Sequence, residues 1–370
     1  MASNNSRQFL ANLTRTKKIP MNGEIRESQL RQKLNTFDLT LLGIGSMVGP
    51  GLYVVAGVVA KDTAGPAILV SYLLAGVVAL LAAMCYAEFA GKIHRTGSAY
   101  TFTYVALGEV WAFFIGWNLV LEYVVGSASV GRGMSGYVDN MCDNAISNFT
   151  IEHIMGGQLW QAPNIAQYPD LLAVAIEIFT GVFVLLGVSV SSWVNIIFLS
   201  INMLVVLLIF GLGICLADFS NWTDGGGFAP FGIEGIIAGA ATVFYSFVGF
   251  DTIAICNEEA TNPKRSIPVS TFIAVMVTII MNVMATASLT LMVPYSDIDV
   301  NAAFPSALAH HGVVWARWAV AFGAISGMFT ALLGAMLPMS RCVYAIANDG
   351  LLFPSLARIN ERTGAPVNAT

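Results

Sequence analysis

LTLLGIGSMVGPGLYVVAGVVA, residues 39–60, runs for 22 residues without one charged side chain. About 20 mostly apolar residues suffice for a helix to cross the hydrocarbon core of a bilayer. Yet Gly43, Gly45, Gly49, Pro50 and Gly51 crowd into the middle of this stretch. Glycine and proline both disfavour a helix interior. Irregular backbone at membrane depth is tolerated only where it is buried in protein or lines a polar cavity. Gly45-xxx-Gly49 is also a helix-packing motif, but packing gives no reason for a proline between two glycines. The stretch is therefore expected to be a membrane helix with an unwound centre.

The rest of the chain has the same character. Of its 370 residues 56% are hydrophobic and 11% charged, with a mean hydropathy of +0.72. Ordinary soluble domains carry roughly 25% charged residues. Eight apolar segments are long enough to span, at about 38–60, 67–90, 99–131, 170–188, 192–216, 234–256, 267–293 and 312–338. Open sheets in lipid would leave edge groups unpaired, so an all-α membrane protein is expected. Five dispersed cysteines form no metal-ligand or disulfide pattern. His94, His153, His310 and His311 all fall at span ends or in loops. No nucleophile–base pair, metal set or phosphate loop is present, so neither enzyme activity nor a metal or other cofactor is expected. The partners expected are the lipid bilayer and a small molecule, not nucleic acid.

Charge sets the expected topology. Residues 1–37, 91–98, 257–266 and 339–370 hold 14 of the 17 Lys and Arg residues, and basic loops face the cytoplasm. Both ends of the chain are then cytoplasmic: a tail over 1–37, a transmembrane domain of eight helices over 38–338, and a segment over 339–370. The opposite loops, 132–169 and 217–233, lean acidic, with Asp139, Asp143, Glu152, Asp218 and Asp224. Each carries a glycosylation sequon, at Asn148 and Asn221. The plasma membrane is the expected location.

The sixth segment, GIIAGAATVFYSFVGFDTIAICNEEATNP over 235–263, places Ser246, Gly249 and Asp251 at mid-depth. Two interrupted spans, five helices apart and entering from opposite sides, suggest an inverted repeat with a ligand held where they meet. Half-helix N-termini offer unpaired N–H groups to an anion, and half-helix C-termini offer carbonyls to a cation. A zwitterion such as an amino acid suits both.

Six blocks carry a family resemblance: DLTLLGIGSMVGPGLYVVAG from 38, VAKDTAGPA from 59, CYAEFAGKIHRTGSAYTFTYVALGEVWAFFIGWNLVLEY from 85, FYSFVGFDTIAICNEEATNPKRSIP from 244, LTLMVP from 289 and PMSRCVYAIANDGLLF from 338. The chain resembles the cationic amino acid transporter family of the amino acid–polyamine–organocation superfamily. The resemblance implies a five-plus-five inverted-repeat (LeuT-like) fold and a carrier of cationic amino acids working by alternating access. It implies that the substrate carboxylate meets Met47, Gly49, Pro50 and Gly51. The ammonium would meet carbonyls around Tyr245, Ser246 and Val248, with Asp251 nearby. Family members usually have a small or hydroxylated residue at the position of Pro50, which lacks an N–H. The family has twelve to fourteen spans, so the second repeat is expected to be incomplete here. The alternative expectation is a truncated or non-transporting member that associates in the membrane or senses ligand.

Glu122 lies in the block GWNLVLEY, and Asn118, Glu122 and Gly126 share one helix face. An ionisable residue within a span is a functional candidate by default. The resemblance assigns Glu122 to the cavity, facing a cationic side chain; a structural bond to a neighbouring helix is the other reading. Ser191, Asn195 and Asn202 share a face of the fifth span. Some bacterial relatives carry a lysine where Asn202 aligns. A neutral amide there suggests movement driven by gradient or membrane potential, or simply interhelical hydrogen bonding. Glu177, inside the fourth span, has no evident partner. Gly323, Gly327, Thr330 and Gly334 read as a packing stripe in the eighth.

Overall fold

The structure, a computed structural model, describes residues 15–17, 34–93, 95–142, 144–160, 167–224, 226–300, 302–360 and 365–370. Most of the expected tail over 1–37, together with His94 and Asp143, lies outside them.

Helix α1 (Thr36–Met47) begins at a capping box. The Asn35 side chain accepts from the N–H groups of Phe37 at 2.8 Å and Asp38 at 3.0 Å, and the Asp38 carboxylate accepts from the Asn35 N–H at 3.1 Å. The helix stops at Val48, which is extended at φ −85°, ψ 97°. It resumes after Pro50 as α2 (residues 51–64), whose first turn is π-wound over Gly51–Val55. At Gly65 the backbone takes φ +62°, and α3 (Ile68–Lys92) follows. The Tyr72 hydroxyl donates to the Gly51 carbonyl at 3.0 Å. A continuous helix would separate these residues by about 30 Å, so the chain turns back at Gly65-Pro66. The 57-residue helical stretch Thr36–Lys92 thus contains the first two expected spans.

The third expected span, 99–131, needs new limits. Gly108 at φ +105° divides it into a short α4 (Ser98–Ala106) and a long α5 (Glu109–Met141). Residues 132–141, expected in a loop, belong to the helix. The fourth is α6 (Leu171–Leu185), only 15 residues or about 22 Å long, ended by Gly187 at φ +100°. Beyond it lie α7 (Val188–Cys215), α8 (Gly232–Val243), α9 (Asp251–Ile255), α10 (Pro263–Met292), α11 (Ala303–His310) and α12 (Val314–Asn348). Among the described residues six helical stretches are long and apolar enough to cross a membrane, with α6 a shorter apolar helix. The chain is an integral multi-pass membrane protein of all-α architecture.

Small residues set the helix spacing. Ala75, Ala79, Ala83 and Ala87 recur every four residues on α3 and are fully or nearly fully buried, and a Cβ at Gly76 would lie 2.5 Å from Ile279 of α10. Without a hydrophobic drive between helices in lipid, such close approach supplies the packing. The opposite faces expose large apolar groups, among them Trp111, Phe114, Leu121 and Val125 of α5, which suits contact with lipid chains. Arg341, which the charge pattern placed with the loops, is instead buried at 1% exposure on α12. It pairs with the equally buried Glu259 at 2.9 Å.

Candidate substrate site

The two interruptions face one another. After α8 the chain tightens into a 3₁₀ turn (Phe244–Phe247), is extended at Val248 (φ −60°, ψ 129°), and takes φ +120° at Gly249 before α9 begins. A Cβ at Gly249 would lie 2.8 Å from the Ser46 carbonyl oxygen, and one at Gly51 would overlap Ser246. Each break therefore needs a glycine where it touches the other. Among the described residues the Gly49 N–H makes no main-chain hydrogen bond, and Pro50 beside it has no N–H. The first break is shorter than expected: Met47 still closes α1, leaving Val48 to Pro50 between the helices.

A cavity of about 50 Å³ opens at this contact, lined by Ser46, Met47, Pro50 and Gly51 from the first break, and Tyr245, Val248 and Gly249 from the second. Such a volume takes a few water molecules. Helix α5 adds Glu122, Tyr123, Gly126 and Val130; α12 adds Ala331, Gly334 and Ala335. Six of the nine residues expected to bind substrate thus share one cavity wall: Met47, Pro50, Gly51, Glu122, Tyr245 and Val248. Glu122 is also exposed, which sets it at the open edge. Asn118, on the same face of α5, turns its amide to the Phe114 carbonyl at 2.9 Å and does not line the cavity.

The other three sit just behind the wall. Gly49 packs on α12, where a Cβ would lie 2.5 Å from that of Ala331. The Ser246 hydroxyl lies 3.3 Å from that of Tyr72. Asp251 is buried and accepts a hydrogen bond from the Tyr123 hydroxyl, so the cavity meets Tyr123 where the sequence suggested a carboxylate. No sequence signal marked Tyr123; it adjoins Glu122, and only the helix rotation shows that both face inward.

Asn195 and Asn202 do not line the cavity. Asn195 donates to the Leu41 carbonyl at 3.1 Å, and Asn202 accepts from the Tyr53 hydroxyl. Both tie α7 to the first span, and each fills the space over a glycine, Gly45 and Gly327 respectively. Gly323 and Gly334 likewise admit Val205 and Ser46, while Gly334 also reaches the cavity. Glu177 packs on Gly131 of α5, with its Oε1 lacking a partner among the described residues.

Residues 34–370 match the amino acid permease family. The chain belongs to that family. The chain is 48% identical over 361 residues to mouse cationic amino acid transporter 4, covering 97% of the chain and 56% of the relative. To human cationic amino acid transporter 4 it is 49% identical over 352 residues, covering 95% and 55%. To cationic amino acid transporter 2, vacuolar, of Arabidopsis thaliana it is 34% identical over 375 residues, covering 98% and 57%. The chain thus spans little more than half the length of these curated relatives.

Proposed function

We propose that the chain forms the substrate cradle of an amino-acid carrier, cationic amino acids being the substrate class. The observation that carries this reading is a shared cavity: Gly51 of the first break and Glu122 line the same space. The substrate carboxylate accepts from the Gly49 and Gly51 N–H groups. Its α-ammonium meets the carbonyls of the second break, and a basic side chain points to Glu122 at the edge. The names of the relatives agree with this substrate class. Asp251 acts through Tyr123, holding its hydroxyl in the wall. With Asn195 and Asn202 neutral, the membrane potential drives the movement of the cation.

The test is binding of radiolabelled arginine to the purified chain, with citrulline as neutral competitor. An ion pair formed at the edge of a water-filled cavity contributes at most about 1 kcal/mol. Glu122→Gln therefore weakens arginine binding about fivefold and leaves citrulline unchanged. Equal arginine affinity in Glu122→Gln would remove Glu122 from the site.

The proposed orientation puts residues 1–37 and 339–370 in the cytoplasm, the membrane domain over 38–338, and the whole in the plasma membrane. Of the two sequons, Asn148 is exposed, whereas the Asn221 amide donates to the Leu291 carbonyl at 2.8 Å. Asn148 is the better acceptor, so Asn148→Gln should shift the electrophoretic mass and Asn221→Gln should not.

A further inference from the structure

Asn282 stands inside α10 and is fully buried. Among the described residues it is the one buried asparagine whose amide nitrogen and oxygen both lack a hydrogen-bond partner. The hydroxyl groups one turn to either side return to their own helix. Thr278 donates to the Ala274 carbonyl at 2.9 Å, and Thr286 to the Asn282 carbonyl at 2.7 Å. The Asn282 side chain makes no such bond. A buried polar group left unpaired is costly, and in a native fold it marks a bound water or ligand.

Two registers show what the amide faces. Helices α1 and α10 run in the same direction: the Thr36 hydroxyl donates to that of Ser266 at 2.9 Å, and a Cβ at Gly43 would lie 3.2 Å from that of Ala274. The same offset carried onward sets Asn282 level with Gly51. Helix α3 runs the opposite way, with Gly76 packed against Ile279. One turn further along α10 and one turn back along α3, Asn282 is level with Tyr72. Successive residues turn by about 100° around a helix, so Asn282 points between the directions of Ala274 and Ile279. It therefore faces the wedge between the first span and α3. In that wedge the Tyr72 hydroxyl donates to the Gly51 carbonyl at 3.0 Å and lies 3.3 Å from the Ser246 hydroxyl. Both side chains are buried.

We propose that a buried water molecule occupies this wedge, bonded to the Asn282 amide and to the Ser246 and Tyr72 hydroxyls, and ties α10 to both breaks from behind the cavity. Every group here is neutral, so an ion would bring an unpaired charge into a dry interior. Water both donates and accepts, as an amide requires, and a buried water takes about three polar partners. Asn282 is thereby a positioning residue: through the water it steadies Ser246 and the Gly51 carbonyl, one from each break. That consequence rests on the carrier reading, whereas the water does not.

The test is X-ray radiolysis of the purified chain, read by peptide mass spectrometry. Hydroxyl radicals then form from water in place, so a side chain beside a bound water is oxidised where bulk solvent does not reach. Tyr72 should be oxidised in the parent and in Asn282→Ser, which keeps a donor and an acceptor, and should escape in Asn282→Leu. Tyr123, in the cavity wall, should be oxidised alike in all three. Asn282→Leu should unfold at no lower temperature, since leucine is of similar size and needs no partner, while arginine binding weakens about fivefold. Tyr72 spared in the parent overturns the proposal, as does equal oxidation in a folded Asn282→Leu. An unfolding temperature that rises with sodium or chloride over choline gluconate in the parent, but not in Asn282→Leu, overturns it in favour of an ion. If Tyr72 oxidation follows Asn282 but arginine does not bind, the carrier reading fails alone; if arginine binds and Tyr72 is spared, the water fails alone.

Discussion

Replacing Pro50 tests the site at the point where this chain departs from the expected pattern. Pro50 lines the cavity between Gly49, whose N–H makes no main-chain hydrogen bond, and Gly51. Its backbone, φ −63° and ψ −25°, is ordinary right-handed helix that any L residue adopts. Serine or alanine therefore fits without strain and adds one N–H between those of Gly49 and Gly51. The Ser46 carbonyl, which a continuous helix would offer to that N–H, lies against Gly249 instead. The new donor is left for a ligand. A hydrogen bond to a charged group contributes about 1.5–3 kcal/mol, so arginine should bind roughly tenfold to a hundredfold more tightly. Losing proline should cost only about 0.4–1 kcal/mol of stability. The assay is equilibrium binding of radiolabelled arginine to the purified chain, run beside thermal unfolding. Pro50→Ala is the sharper variant, because it adds the N–H without a hydroxyl. Affinity unchanged in a folded Pro50→Ala protein would refute carboxylate binding by this break.

Two further substitutions test the frame around the site. Gly51→Ala puts a methyl group into Ser246, whose Cβ lies 2.5 Å from the added atom; overpacking of this kind costs about 1–3 kcal/mol and should lower both the unfolding temperature and arginine binding. An undiminished unfolding temperature would mean that the two breaks are not in contact. Arg341→Met leaves Glu259 buried without its cation and should cost about 3–5 kcal/mol. Adding Glu259→Met should recover most of that loss in a chemical-denaturation measurement, and failure to recover would show that Arg341 acts through something other than the pair.

The membrane class, the helical architecture and the two interrupted spans are legible because each is written in local sequence. Apolar runs mark helices, and glycine with proline at mid-depth marks a break. Limits of elements are less legible where a single glycine turns the chain. Gly108 and Gly187 look like any other small residue in an apolar run, but at φ +105° and +100° they end helices. The wall of the site is only partly legible, for a geometric reason. Spacing along one helix tells which residues share a face, as for Asn118, Glu122 and Gly126, but not how that face is turned. Asp251 illustrates the limit: its depth was readable, its bond to Tyr123 was not. Arg341 illustrates another, since counting basic residues near span ends cannot distinguish a solvated guanidinium from one buried against Glu259.

The placement of donors and charge also fixes which contacts should dominate affinity. The Gly51 N–H belongs to the inner wall, where buried Met47 and half-buried Val248 limit water, and an unmade hydrogen bond is costly in such a setting. Glu122 lies at the edge of the cavity, where a pair that water reaches contributes at most about 1 kcal/mol. The α-carboxylate should therefore supply more of the binding free energy than the basic side chain. Arginine should be preferred over citrulline only about fivefold, and salt should narrow that preference by screening. Carboxyl-blocked arginine, with its guanidinium intact, should bind far more weakly than either. If the blocked compound bound as well as arginine, the order would be reversed and Glu122, not the broken helix, would be the principal contact.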